Sequence, residues 1–391
     1  MGGVRSCDAV VIGGGIAGMS AAYSLSRRGV DVVVLEREDL LTAHSTGRSA
    51  AQYIETYGGP VNQALTVASR DFLLSDADGL AEAELLQPRA VLWVAAAEHL
   101  GGVERLREEM SPLTPHLAVV GAGEARAHCP VLNPEWVAGG LFEEGSYDID
   151  VAGLHQAFLR GARRQGTTVV RCSPVETMHR AGGRWELQAG AGRFAAPVVV
   201  NAAGAWADEV ARCAGLPPLG LAPLRRTIFT FAAPAEYAPE EVWRWPLVAD
   251  VGGGFYFKPE GPAQLLGSPA DETPDVPCDA RAEELDVARG IDAVNTATTL
   301  EVRAVRSVWA GLRTFAADRH PVVGFDEAVE GFVWCAGQGG TGIQTSPAIG
   351  EAVASVVCRT APPVALTDVL ERLSPGRLRR SGRPAAVPND I

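Results

Sequence analysis

Gly13, Gly15 and Gly18 stand in the run Gly13-Gly14-Gly15-Ile16-Ala17-Gly18, and Glu36 follows at the distance of one helix and one strand. Those residue types at those spacings suit a dinucleotide. Gly13 permits a tight turn, Gly15 lets the main chain approach a pyrophosphate at a helix N-terminus, and Gly18 lets helix and strand pack closely. A carboxylate at Glu36 can accept hydrogen bonds from an adenosine ribose, which disfavours a 2′-phosphate there. A second glycine-dense run, Gly337 to Gly342, follows the apolar stretch 331–336 and precedes a helical stretch at 347–358. Amides at that helix N-terminus would stabilise negative charge on a bound ring, or the run is a plain loop between strand and helix.

Elements with the right periods surround both runs. Ala9 to Ile12 is β-branched at three of four positions and reads as a strand entering the turn. Residues 19–28 have helix-forming composition, Gly29 ends them as a C′ glycine, and Val32-Val33-Val34-Leu35 reads as a buried strand. The complete β-α-β unit is far more specific than the glycines alone, yet it does not separate NAD from FAD. Further strands are expected at 90–95, 198–201, 226–232 and 255–257, and a helix at 151–165 with Asp148 or Asp150 near its start.

Composition narrows the class. With 391 residues, 47% of them hydrophobic and 21% charged, the chain resembles an ordinary globular protein of two domains. Net charge is −13 with no basic stripe, so nucleic acid is not an expected partner. The seven cysteines are widely spaced and lack a Cys-x-x-Cys pair, which reads as reduced, mostly buried thiols without a metal site. No apolar run reaches about 18 residues, and a strand begins as early as Asp8; a cytoplasmic protein without membrane insertion is expected.

Several blocks together carry a family resemblance. After Asp8 to Glu36 come Arg37-Glu38 and His44-Ser45-Thr46-Gly47-Arg48-Ser49-Ala50-Ala51, then Val199-Val200-Asn201-Ala202-Ala203-Gly204-Ala205-Trp206. Phe255-Tyr256-Phe257-Lys258-Pro259, Trp309-Ala310-Gly311-Leu312-Arg313 and Gln338-Gly339-Gly340-Thr341-Gly342-Ile343-Gln344-Thr345-Ser346 complete the set. In this order they resemble the D-amino-acid oxidase superfamily of flavoenzymes, and most closely the bacterial D-arginine dehydrogenases.

That resemblance implies non-covalent FAD and a Rossmann-like α/β domain assembled from 1–83, 144–218 and 312–372. A second α+β domain, 84–143 with 219–311, would roof the flavin with an antiparallel sheet and bind substrate. Residues 373–391, rich in Pro and Arg, read as a disordered tail. Beyond Gly13, Gly15, Gly18, Glu36 and Arg37, the FAD would be held by Ser45, Thr46, Arg48, Ser49 and Ala50, then Val175, Ala203, Gly204 and Trp206. Gly339, Gly340, Gly342, Ile343 and Gln344 would close its flavin end.

For substrate, the resemblance places a carboxylate on Arg313 and Arg226, whose planar forks match two oxygens. Tyr256 alternates with two phenylalanines, so its phenol faces the opposite way and can bond that carboxylate or simply pack. Tyr57, before Gly58-Gly59-Pro60, matches a mobile tyrosine that closes over substrate, and Gly252-Gly253-Gly254 is either a second hinge or a hairpin turn.

Gly340, Thr341 and Val91 would face the substrate. Val91 stands where the D-arginine enzymes carry an acidic residue, and Gln52 where they carry an active-site histidine. A guanidinium side chain would lack its partner, so a neutral or apolar substrate is expected. Without a titratable group at Gln52, the amine would bind unprotonated.

The resulting expectation is hydride removal from Cα of a D-amino acid, giving an imine that water hydrolyses to a 2-oxo acid and ammonia. Electrons would leave through a quinone- or dye-type acceptor or through O2. The alternative is an O2-using oxidase of a secondary or cyclic amino acid. An NAD-dependent dehydrogenase would not need the glycine run at 337–342, and a non-catalytic nucleotide binder would not need Arg226, Tyr256 and Arg313.

Overall fold

A computed structural model describes residues 3–261 and 263–381 of the chain. Ala9–Ile12 and Val32–Leu35 are strands with every residue buried, paired in parallel so that Ile12 lies opposite Leu35. Gly13 and Glu36 therefore leave the sheet side by side. Val198–Asn201 flanks Ala9–Ile12 in parallel, with Asn201 opposite Ile12, and Phe332–Ala336 follows, also in parallel. Thr168–Val170 and the antiparallel Val322–Phe325 complete the six strands. Ligands in such sheets bind beyond the carboxyl ends of the parallel strands. Those ends carry Gly13, Glu36, Ala202 and Gly337 here.

Alternation divides the core. Ala9, Val11, Val32 and Val34 face the helices Ile16–Ser26, Val151–Arg164 and Ser346–Cys358, whereas Val10 and Val33 face Trp185, Phe194 and Met178 of a four-stranded sheet. Two glycines make the helix packing possible. A Cβ on Gly18 would lie 1.9 Å from Gly13 O, and one on Gly350 would lie 2.6 Å from Ser20 O. Any side chain at either place would push helix from strand or helix from helix.

The second sheet has nine strands. Thr273–Pro274, Ala222–Ala232, Gln264–Ser268, Tyr256–Pro259, Leu247–Asp250, Val91–Ala95, Gly139–Glu143 and Leu117–Gly121 run in that order, and Ser307–Phe315 pairs with Ala222–Ala232. It is mixed rather than wholly antiparallel, because Leu247–Asp250 and Val91–Ala95 run parallel. Gln52–Tyr53, Tyr147–Ile149 and Leu86–Pro88 form a third small sheet. The architecture is α/β with an α+β second layer, and no described helix is long and apolar enough to cross a membrane.

Two readings left open are resolved, and a third needs revision. Gly252, Gly253 and Gly254 are a hairpin turn and not a hinge: Asp250 accepts the Gly252 and Gly254 amides, each at 3.0 Å. Asp150, not Asp148, caps Val151–Arg164 by accepting Gly153 N at 2.8 Å. The tail read as unstructured from Ser374 docks as the helix Gly376–Ser381, where Arg377 holds Asp318 and the His320 carbonyl. Residues 382–391 of that reading lie outside the described residues. All seven cysteines are free, with Cys7, Cys129 and Cys335 buried and Cys172 exposed.

Candidate active site

A cavity of about 450 Å³ opens at the carboxyl ends of the parallel strands. Gly13, Gly15, Glu36 and Arg37 line one end, Ser45, Thr46, Arg48 and Ser49 one side, and Val175, Ala203, Gly204 and Trp206 another. Gly339, Gly340, Gly342 and Ile343 close the far end beside Arg226 and Arg313. Glu36 holds the turn, since its carboxylate accepts Gly14 N at 2.7 Å and Glu38 N at 2.8 Å. Lone pairs remain for hydroxyl donors. Thr46 Oγ1 accepts Ile16 N at 3.1 Å, and a helix leaves its other first-turn amides without internal partners.

Acidic, amide-rich and cationic regions thus follow one another along the cavity. That donor order suits the ribose, pyrophosphate and ring of a flavin dinucleotide. One buried polar atom on the wall, His44 Nδ1, has no partner among the described residues. Arg37 lies 4.7 Å over the Trp206 ring, and the His44 ring centroid is 4.7 Å from the same indole.

Arg226 and Arg313 come together through sheet register. Arg226 lies opposite Gly311 and Ile228 opposite Trp309, so Arg226, Ile228, Trp309, Gly311 and Arg313 share one face. Arg313 Nη1 donates to Tyr57 Oη at 2.9 Å. Arg226 is more fully engaged, with Nε on the Asp271 carbonyl at 2.7 Å and Nη2 on Glu272 at 3.3 Å. Tyr256 is buried with its hydroxyl unpartnered among the described residues. A carboxylate bound at Arg313 would give that phenol an acceptor.

Electrostatics follow from the crowding. Burial would raise the Tyr57 phenol, but Arg313 and Arg226 outweigh it and pull its pKa below the ordinary value. Burial and the neighbouring Arg313 lower Arg226. Burial also opposes the charge on Arg313, yet Tyr57, Tyr256 and Glu272 hold its pKa above the usual one.

Other expected site residues lie elsewhere. Gln344 does not line the cavity: its amide clamps both Ile54 backbone groups and Thr66 Oγ1, at 2.8 to 3.0 Å. Thr341 turns its hydroxyl to Asn62 at 3.0 Å, and Ala50 packs in the apolar cluster of the second sheet. Val91 is fully buried in that cluster with Ile54, Ile228 and Tyr256 and is not on the cavity wall. The helix Ser346–Cys358 does not present its N-terminus to the cavity, because Ser69 Oγ takes Ala348 N and the lining ends at Ile343.

Arg48 is a staple. Its guanidinium donates to the carbonyls of Ala43, Ala280 and Ala310 at 2.9 to 3.1 Å and pairs with Asp279, which joins the cofactor loop to the substrate sheet.

Gln52 does not hang free in the site. Its Nε2 donates to Asp148, which also binds Lys258 Nζ at 2.7 Å and Arg89 Nε at 2.9 Å, leaving Gln52 Oε1 buried and unpartnered among the described residues. The segment that carries Tyr57 is equally fixed. Glu55 takes Tyr53, Arg70 and Thr114, while Glu143 takes Glu55 N, Thr56 and Ser146. Tyr57 therefore follows a densely hydrogen-bonded segment, and Gly58 and Gly59 after it both have positive φ.

Three positioning residues escaped the sequence reading. His155 Nε2 meets Gly14 O at 2.8 Å, and burial holds its pKa below the ordinary value, so the neutral ring donates to the glycine turn. Asp148 and Glu272 are the other two. Nothing in their local patterns marks them.

Residues 8–356 match the model of the family described as FAD dependent oxidoreductase, DAO. The chain belongs to this family. FAD is accordingly its cofactor. Rattus norvegicus mitochondrial dimethylglycine dehydrogenase is 28% identical over 268 residues, 66% of this chain but 30% of that protein. The chain thus spans under a third of that relative's length.

Among solved structures, L-proline dehydrogenase from P. horikoshii superposes with a TM-score of 0.84 at 19% identity, covering 97% of this chain and 99% of that one. Glycine oxidase from Geobacillus kaustophilus gives 0.81 at 21% identity, covering 94% and 98%. These likenesses bear on the DAO-type fold.

Proposed function

We propose that this flavoenzyme oxidises the Cα–N bond of a small monocarboxylic amino acid with a neutral or apolar side chain. The placing of Arg313 on the cavity wall with Gly339 and Gly340 carries the reading, because its guanidinium meets only the Tyr57 phenol and can clamp a carboxylate there. When bound, the flavin supplies the two-electron acceptor. The chain's own residues hold the substrate still.

Arg313 takes the carboxylate, with Tyr57 and Tyr256 as further donors. Ile228 and Trp309 on the same sheet face, with Ile54 and Val91 behind them, favour an apolar side chain and offer no anion to a guanidinium. Gln52 Oε1 is a buried acceptor without a proton to give or take, so the amine enters uncharged. Loss of the Cα hydrogen with its electron pair and of an amine proton leaves an imine. Water converts it to a 2-oxo acid and the free amine or ammonia.

The D configuration rests on the resemblance to bacterial D-arginine dehydrogenases. A secondary amine is the second reading, supported by relatives named for dimethylglycine and proline. An anaerobic flavin-bleaching screen over both enantiomers of leucine, methionine, phenylalanine and proline, with sarcosine, decides between them. Bleaching by D-leucine or D-methionine ahead of sarcosine and proline supports the first. A preference for D-arginine or D-lysine overturns the neutral side chain, and no bleaching by any of these acids overturns the function. Peroxide formation in air, set against dye-dependent turnover, assigns the acceptor.

A further inference from the structure

Glu272 sits between Arg226, inside the strand Ala222–Ala232, and Arg319, in the turn after Ser307–Phe315. Arg319 binds it in a fork, Nη1 at 3.0 Å and Nη2 at 2.7 Å, and Arg226 Nη2 lies 3.3 Å away. Its side chain is 13% exposed, so little solvent screens these pairs. Arg319 has φ of 60°, a backbone region that non-glycine residues seldom occupy, and its guanidinium lies 4.0 Å over the Phe315 ring. Phe315 in turn fills the space that a side chain at Gly339 would need. Glu272 thus stands behind the cavity wall, against Arg226 directly and against Gly339 by way of Arg319 and Phe315.

Arg226 and Arg319 face Glu272, while Arg313 meets a phenol and, among the described residues, pairs with no carboxylate. Asp271, the other nearby acid, is occupied by Thr227 N and Thr227 Oγ1. One guanidinium fork is left for an incoming anion. A second carboxylate, on a substrate's side chain or nitrogen, would reach Arg226 only by facing Glu272.

We propose that Glu272 is a specificity-determining residue that occupies Arg226 and so restricts the site to substrates bearing a single carboxylate. The inference rests on the reading that Arg313 binds the substrate carboxylate. Like charges brought together at a recognition site are strongly disfavoured, and removing one of them relaxes the choice of partner.

The test is binding of acetate and of malonate to the FAD-loaded protein, followed by perturbation of the flavin absorption spectrum. Wild type is expected to bind malonate no tighter than acetate. E272Q should shift the malonate-to-acetate affinity ratio toward malonate by about tenfold or more, and E272D should keep the wild-type ratio. An unchanged ratio in E272Q overturns the inference, as does a wild type that already prefers malonate.

Should E272Q lose its flavin, Arg319→Gln takes its place. Freed of one partner, Glu272 then bears more heavily on Arg226, and the ratio must move a few-fold against malonate, a constant ratio being fatal. If neither acid perturbs the flavin in any variant, the carboxylate site itself is refuted, a different outcome from a response to both acids at constant ratio.

Discussion

Tyr57 Oη accepts a hydrogen bond from Arg313 Nη1 at 2.9 Å, so the guanidinium with no acid partner holds a neutral placeholder. A substrate carboxylate has to share or displace that phenol. Because nearby arginines lower the phenol's pKa, it ionises below its ordinary value near 10, and the phenolate then competes with the carboxylate. kcat/KM is expected to rise with pH as the amine loses its proton and to fall again as Tyr57 ionises. Tyr57→Phe should abolish the falling limb and raise KM about tenfold through the lost donor. A pH profile of the two proteins checks this, and an identical alkaline limb in both would refute it.

The two arginines should not be equivalent. Arg313→Lys replaces a fork by a point charge at the free guanidinium, and a loss of about a hundredfold in kcat/KM is expected. Arg226→Lys, at a residue already engaged by Asp271 and Glu272, should cost about tenfold or less with flavin content unchanged in both. Steady-state kinetics with flavin quantified by absorbance measures the order, and the reverse order would contradict the assignment.

His155 gives the glycine turn a pH dependence. A histidine whose folded pKa is depressed binds protons more readily when unfolded, so stability is full above the ordinary value near 6.5 and is lost as pH falls below it. His155→Leu leaves Gly14 O without its donor and should weaken FAD binding about fivefold to tenfold. Flavin release on acidification, followed by fluorescence, should be steep in wild type and shallow in the variant.

Glu143 behaves in the opposite sense. Burial raises its pKa despite the hydrogen bonds from Thr56 and Ser146, so its contribution is complete below the ordinary carboxylate range and is lost as pH rises through the folded value. Glu143→Gln can keep Glu55 N and Ser146 on its carbonyl, and should flatten the dependence of Tm on pH. Glu143→Ala strands three donors and should cost about 3 kcal/mol or more. Melting curves from about pH 4 to about pH 8 distinguish the two.

Local chemistry made the cofactor end readable. Gly13, Gly15, Gly18 and Glu36 act through turn, strand and helix within one short unit, so their spacing carries the information. The acid end was readable only through blocks resembling a known family, since Arg226 and Arg313 meet by strand register. The roles of Glu272, Asp148, which was read only as a possible helix cap, and His155 stayed invisible because their decisive partners lie 46, 96 and 141 residues away. Gln344, Thr341 and Val91 show the converse, for neighbours in a motif that lines a site may face the other way into packing. Tyr57 was named through the resemblance, but the hydrogen bonds that hold the segment before it come from Glu55 and Glu143, buried acids that no local pattern distinguishes from surface ones.

The Arg48 staple couples two tasks that are usually considered apart. One guanidinium ties the hydroxyl-bearing loop at 43–49 to the strand Ser307–Phe315, which carries Arg313, and to Ala280, so loading of the coenzyme and shaping of the acid clamp share a single mechanical joint. Protein groups alone make that joint, so a disturbance at Arg48 would reach both ends of the cavity at once.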